Sequence, residues 1–189
     1  MAKAAATKSS KNGNGAGMDA VALLKADHRT VEGLFEQYEK ASGKAQKAKL
    51  AKEICLELSI HTTIEEEVFY PACRHAIEDD LVDEAYVEHD GAKMLIAELT
   101  KGSPDEQFYD AKVTVLSEMI KHHVKEEEQR DGMFAQAKAA DLDLDDLGAR
   151  MAQRKAELKK EFTVNGIPTP MTRTANGAKL EHGHPLEGA

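Results

Sequence analysis

His61-Thr-Thr-Ile-Glu65 and His123-Val-Lys-Glu-Glu127 are the stretches on which the reading of this chain turns. Each places a histidine four residues ahead of a glutamate. Four residues is slightly more than one turn of α-helix, so both side chains project from one face, roughly 6 Å apart along the axis. Both pairs interrupt apolar stripes of helical period. One stripe is Leu50, Ile54, Leu58, His61, Glu65 and Val68; the other is Val113, Leu116, Ile120, His123, Glu127, Arg130 and Phe134. A carboxylate in a stripe that otherwise belongs to the core is expensive to bury alone, and calls for a cation or a proton.

Working outward, the same period predicts five helices. A first helix runs from Asp19, a good N-cap, to about Ala41, with Val21, Leu24, His28, Val31, Phe35 and Tyr38 inward and Ser42-Gly43 ending it. The second spans about Lys44 to Tyr70, and Pro71 should end or kink it. The third, about Asp79 to Thr100, turns Val82, Ala85, His89, Ala92, Ile96 and Leu99 inward. Ser103-Pro104-Asp105-Glu106 reads as the capped start of a fourth helix that reaches about Ala139. A shorter fifth helix, from Asp141 to about Phe162, shows one apolar side at Leu144, Leu147, Met151 and Leu158, and should pack across the bundle end or outside it.

The expected fold is therefore all-α: an up-down antiparallel four-helix bundle with a short fifth helix, forming one domain over residues 18–162. Residues 1–17 are Ala, Lys, Ser, Asn and Gly with nothing to bury, and predict a disordered tail. Residues 163–189 are rich in Pro, Gly and Thr. They predict a flexible tail, extended or disordered, or in a homodimer an arm laid on the neighbouring subunit.

Composition excludes several classes of function. The formal net charge is −9, which disfavours nucleic acid, since phosphate binding needs clustered Lys and Arg. No apolar run approaches the roughly 18 residues of a membrane span, and the N-terminus lacks the apolar stretch of a secretory signal. The expected location is cytoplasmic. Cys55 and Cys73 are eighteen residues apart, about 27 Å on one helix, too far for a disulfide. They are expected as buried or idle thiols.

Four histidines, His28, His61, His89 and His123, occupy the inward seam of four successive helices, and both inward glutamates belong to His-x3-Glu pairs. The remaining histidines lack this placement: His122 is one residue off the seam, His75 follows Pro71, and His182 and His184 are in the tail. Glu66, Glu67, Glu126 and Glu128 are expected to be solvated or to orient ligand imidazoles. Imidazole and carboxylate without thiolate suit iron, manganese or zinc. Six ligands are more than one structural zinc needs. Two metals bridged by Glu65 and Glu127 would use all six and leave positions for an exogenous ligand.

The pattern resembles the hemerythrin-like HHE cation-binding family. The resemblance rests on His28, on His61-Thr-Thr-Ile-Glu-Glu-Glu-Val-Phe-Tyr-Pro71, on Glu88-His89-Asp90 and on His123-Val-Lys-Glu-Glu-Glu128, and covers about residues 18–160. It implies a four-helix bundle around a non-haem di-iron, carboxylate-bridged Fe–O–Fe centre that meets oxygen, peroxide or nitric oxide. By that resemblance His28 and His61 would hold one iron and His89 and His123 the other, with Glu65 and Glu127 bridging. Oxygen-carrying hemerythrins are similar but have a further His one turn after the third-helix ligand. Here that place is Lys93, which cannot ligate while protonated. Tyr86, three residues before His89, shares its face and is the candidate to reach the iron or to donate to bound oxygen.

The resulting expectation is a di-iron protein that reacts with hydrogen peroxide or oxygen, as a catalase- or peroxidase-like oxidative-stress enzyme. The alternative is a non-enzymatic sensor or carrier of oxygen, nitric oxide or iron. Ferritin-like storage is disfavoured, because those bundles use Glu-x-x-His motifs and the chain has one only at Glu181 to His184.

Overall fold

The computed structural model describes residues 17–175, and every regular element among them is helical. Helix α1 spans Ala20–Lys40, and the Asp19 carboxylate caps it by accepting from the Ala22 N–H at 2.7 Å. A cap of this kind contributes about 1 kcal/mol. Helix α2, Lys44–Ile64, runs on through a π-helical turn, Glu65–Phe69, into the single turn α3, Tyr70–Cys73. Helices α4, Asp79–Lys101, and α5, Tyr109–Glu128, complete the four-helix bundle, in which α1 packs on α2, α2 on α4, α4 on α5 and α5 on α1. Two additions follow: α6, Met133–Ala139, and α7, Leu144–Asn165.

The apolar interior is split in two. One cluster contains Leu24, Ile64, Phe69, Val82, Met133 and Met151; the other contains Phe35, Ile54, Leu58, Ile96 and Leu116. On every bundle helix the divide falls at the predicted ligands: His28, His61 with Glu65, His89, and His123 with Glu127. A buried polar layer thus separates two conventional cores. All the predicted seam residues are buried except Arg130, which is exposed.

Three boundaries differ from expectation. Pro71 does not end the second helix. The strain of its missing N–H and bulky ring is taken up by the wide turn ahead of it, where the Tyr70 N–H reaches the Glu65 carbonyl. The Ser103 motif makes only a turn, with Glu106 N–H on the Ser103 carbonyl at 2.9 Å. Phe108 then takes a left-handed φ of 72°, and helix begins at Tyr109, whose ring is buried. The fourth helix breaks after Glu128, where Gln129 turns extended, and Gly132 packs against the Glu126 and Glu127 carbonyls where a Cβ would not fit.

Helix α7 starts and ends three residues later than predicted and lies along the outside of the bundle, against α1, α2 and the π-turn. Its close approach depends on Gly148. A Cβ there would stand 2.4 Å from the Met18 carbonyl oxygen and 2.8 Å from the Ala20 nitrogen, both backbone. Gly148→Ala should therefore destabilise the protein by about 1–3 kcal/mol, read as a lower Tm in thermal unfolding. An unchanged Tm would mean that α7 is loosely held.

Beyond α7 the chain does not hang free as far as Ala175. Residues 166–175 fold back as a strap over the chain's own bundle, between α2 and α4. The strap is tied to Asp90, which is buried: the backbone N–H groups of Arg173, Thr174 and Ala175 and the Thr174 hydroxyl all donate to its carboxylate, at 2.6 to 3.1 Å. Burial opposes ionisation of Asp90, but these hydrogen bonds outweigh it and hold the pKa down to about 2. The terminal stretches predicted as tails otherwise lie outside the described residues, as do Glu181, His182 and His184. Cys55 and Cys73 are free and buried, and burial pushes both thiols up to about 12.

Candidate metal centre

The six predicted ligands come together in the polar layer as two adjoining groups. His28, His61, Glu65 and Glu127 form one, and Glu65, His89 and His123 the other; within each group the potential ligand atoms lie within 4.8 Å of one another. All six residues are buried, Glu65 completely. Each glutamate stands between the groups. Glu65 Oε2 lies 3.0 Å from His61 Nε2 and 3.3 Å from His89 Nε2. Glu127 presents Oε2 to His28 Nε2 at 3.3 Å and Oε1 to His123 Nε2 at 3.6 Å.

Every imidazole turns Nε2 into the cluster and Nδ1 outward to a carboxylate. His28 Nδ1 meets Glu128 at 2.8 Å, His89 Nδ1 meets Glu66 at 3.1 Å, and His123 Nδ1 meets Glu88 at 2.7 Å. His61 Nδ1 lies 3.7 Å from Asp27, an ion-pair distance rather than a hydrogen bond. A carboxylate on Nδ1–H selects the tautomer whose Nε2 lone pair faces inward, and raises its basicity as a ligand. The four supports form a closed circuit. Asp27 of α1 serves His61 of α2, Glu66 of the π-turn serves His89 of α4, Glu88 of α4 serves His123 of α5, and Glu128 of α5 serves His28 of α1.

The cluster tests well as a cation site. His28 Nε2, His61 Nε2, Glu65 Oε1 and Glu127 Oε2 are buried side-chain atoms with no hydrogen-bond partner. Buried polar atoms without partners are rare and costly. His28 Nε2 and Glu127 Oε2 stand 3.3 Å apart yet make no hydrogen bond, as lone pairs aimed at a shared cation do. Left to protons alone, the cluster distorts its own titration. Burial opposes a charge on His61, but Glu65 and Asp27 outweigh it and raise its pKa to about 10. Burial likewise opposes His123, and Glu127 and Glu88 bring it to about 9. Glu65, despite complete burial, is held well below the usual carboxylate range by His61 and His89.

Tyr70, which periodicity did not single out, is the phenol at the cluster. Its buried hydroxyl lies 3.1 Å from His89 Nε2, 3.2 Å from Glu127 Oε1 and 3.4 Å from Glu65 Oε2. Burial and the two carboxylates push its pKa well above the ordinary value, so it remains a donor. Tyr86 packs edge-on against the Tyr70 ring and lies under the Arg173 guanidinium, one ring further out. On a regular helix Tyr70 would stand about 140° from Glu65. The π-turn, closing through i→i+5, brings it back to the same face.

Lys93 is buried, with its amine on Glu66 at 2.5 Å. His122 is exposed and pairs with Glu88 and Glu126. His75, also exposed, pairs with Asp79, and Glu67 pairs with Arg154. Asp27 and Glu88 are supports that sequence reasoning missed. Each directly precedes a ligand histidine of its own helix but serves the histidine of the next, which no pattern within one helix announces.

Comparison with known proteins agrees with a cation-binding site. Residues 19–135 match the Hemerythrin HHE cation binding domain, and the chain belongs to that family. It is 28% identical over 166 residues to Uncharacterized protein Rv2633c of Mycobacterium tuberculosis, covering 86% of this chain and 98% of that one. A crystal structure of a Hemerythrin HHE cation binding domain-containing protein, the Rv2633c homolog from Mycobacterium kansasii, superposes with a TM-score of 0.67 at 27% identity, covering 79% of this chain and 95% of that one. A DNA nickase of Nostoc is 26% identical over 106 residues, and the chain spans only 30% of its length. No helix among the described residues is long and apolar enough to cross a membrane.

Proposed function

We propose that the protein holds two iron ions, one at His28 and His61 and one at His89 and His123, bridged by Glu65 and Glu127, and that it consumes hydrogen peroxide as a catalase- or peroxidase-like protein. The observation that carries the reading is the pair of buried ligand groups sharing Glu65, with unpartnered nitrogen and oxygen atoms in the group at His28 and His61. Imidazole with carboxylate suits iron, and Lys93, engaged with Glu66, adds no fifth imidazole. Bound there, a pair of irons supplies the electron exchange that peroxide or oxygen chemistry needs. The protein's own groups do the rest. Tyr70 keeps a proton within hydrogen-bond distance of His89 and Glu127, next to where a small oxidant would sit. A cavity of about 10 Å³ lined by all four histidines is closed on its other side by Val31, Leu58, Ile120 and Val124, so apolar side chains shut the cluster off there. The site of action on this reading is the cytoplasm.

Metal analysis after aerobic purification, followed by peroxide disproportionation with the iron-loaded chain, tests the reading. We expect about two irons per chain and turnover that is lost in His89→Ala. Zinc without iron under iron-replete expression, or an iron form that leaves peroxide untouched, would overturn it. A reversible oxy spectrum without peroxide consumption would assign the chain to oxygen carriage instead.

A further inference from the structure

Behind each imidazole stands a carboxylate, and behind three of the four carboxylates stands a lysine or arginine. For Glu128 the cations are Lys25 at 3.2 Å and Arg29 at 2.5 Å, both from α1. Glu88 has instead the exposed imidazole of His122 at 3.3 Å, from α5. The other two carboxylates draw on a different part of the chain. Asp27 is held by Lys155 of α7. Glu66 is held by Arg173 of the strap at 2.9 Å, beside Lys93 at 2.5 Å. Lys155 and Arg173 both lie beyond residues 19–135, the part that matches the family.

We propose that the C-terminal segment is a working part of the metal centre: Arg173 and Lys155 are positioning residues that keep Glu66 on His89 and Asp27 on His61. The proposal rests on the metal-binding reading above. The geometry divides the two oxygens of Glu66 cleanly. Oε1 accepts from His89 and Lys93, and Oε2 accepts from Arg173. Without Arg173 the carboxylate is tied on one oxygen only and can swing toward Lys93. Arg173 is itself held in place, since its backbone N–H and those of Thr174 and Ala175 are clasped by Asp90, and its guanidinium lies 5.3 Å from the Tyr86 ring centroid. Asp27 is arranged similarly but less closely: Oδ1 accepts from Lys155, and Oδ2 faces His61 Nδ1 across 3.7 Å, an ion-pair contact rather than a hydrogen bond. A histidine whose Nδ1–H loses its acceptor is less well oriented and a weaker ligand, and loss of such a support commonly costs 10–100-fold in metal affinity. Arg173 thus bears on the group at His89 and His123, and Lys155 on the group at His28 and His61.

The test loads the full-length protein with iron and follows release to an excess of chelator. In Arg173→Ala one of the two metals should leave on the order of ten-fold faster while the other keeps its wild-type rate. Lys155→Ala should accelerate the other metal. Arg173→Lys, which keeps the charge on Glu66, should hold the slow rate, and Asp90→Asn, which loosens the clasp, should behave like Arg173→Ala. Release unchanged in both alanine variants would overturn the proposal and leave the metal reading standing. Both metals leaving faster, in proportion to a fall in Tm, would also overturn it, because the segment would then be scaffold alone. A wild-type chain that takes up no metal would overturn both readings, and shows before any variant is compared.

Discussion

Stripped of metal, the protein should melt on the order of 10 °C lower at pH 9 than with metal bound, and the gap should narrow markedly at pH 6. The cause is competition between metal and protons for the same buried atoms. His61, with a pKa raised from 6.5 to about 10, and His123, raised to about 9, stabilise the metal-free fold only while protonated. That stability is fully present below pH 6.5, the unfolded value, and is lost as the pH rises through 9 to 10. Glu65 has the opposite sign. Its lowered pKa contributes stability above 4.5, which is lost as the pH falls below that value. The metal-free chain should therefore be most stable between about pH 5 and 6.5, where protons stand in for the cation. Above that window uncompensated buried carboxylates cost several kcal/mol. Melting curves with and without chelator at the two pH values decide the matter; equal gaps at both would show that these residues are not buried ligands.

Glu65→Gln should lower the metal content to one ion per chain or less. Glu65 belongs to both ligand groups, and the substitution keeps its shape while removing the negative charge that each group requires. A second effect separates lost ligation from misfolding. The Glu65 charge is the main influence raising His61, so the metal-free variant should lose much less stability than the metal-free parent between pH 6.5 and 10. Measuring both quantities on the same preparation is the check. A variant that binds two irons with the parental alkaline profile would remove Glu65 from the centre.

Much of this was legible in the sequence, for a physical reason. Ligands of a bundle centre must stand on the inward seam, and the seam has a helical period that His28, His61, Glu65, His89, His123 and Glu127 all obey. What escaped was whatever departs from that period. Tyr70 reaches the cluster only because a π-turn rotates it, so a regular helix pointed to Tyr86 instead. Asp27 and Glu88 act across a helix interface, which spacing along one helix does not encode. Lys155 and Arg173 come from distant chain with no periodic signal. The Ser103 motif misled because a capped turn and a capped helix share the same first four residues, and the left-handed Phe108 beyond it decides between them.

The circuit of carboxylates has a consequence for how the helices can move. On each bundle helix the ligand and the acid that serves the neighbour are adjacent residues, about 100° apart around the axis. Turning a helix to improve its own ligand's aim therefore drags its acid away from the next helix's imidazole, and the fault passes from one helix to the next until it returns. No helix can rotate alone. The azimuth of all four is set as a single quantity, and a disturbance at one metal should be felt at the other through this shared rotation.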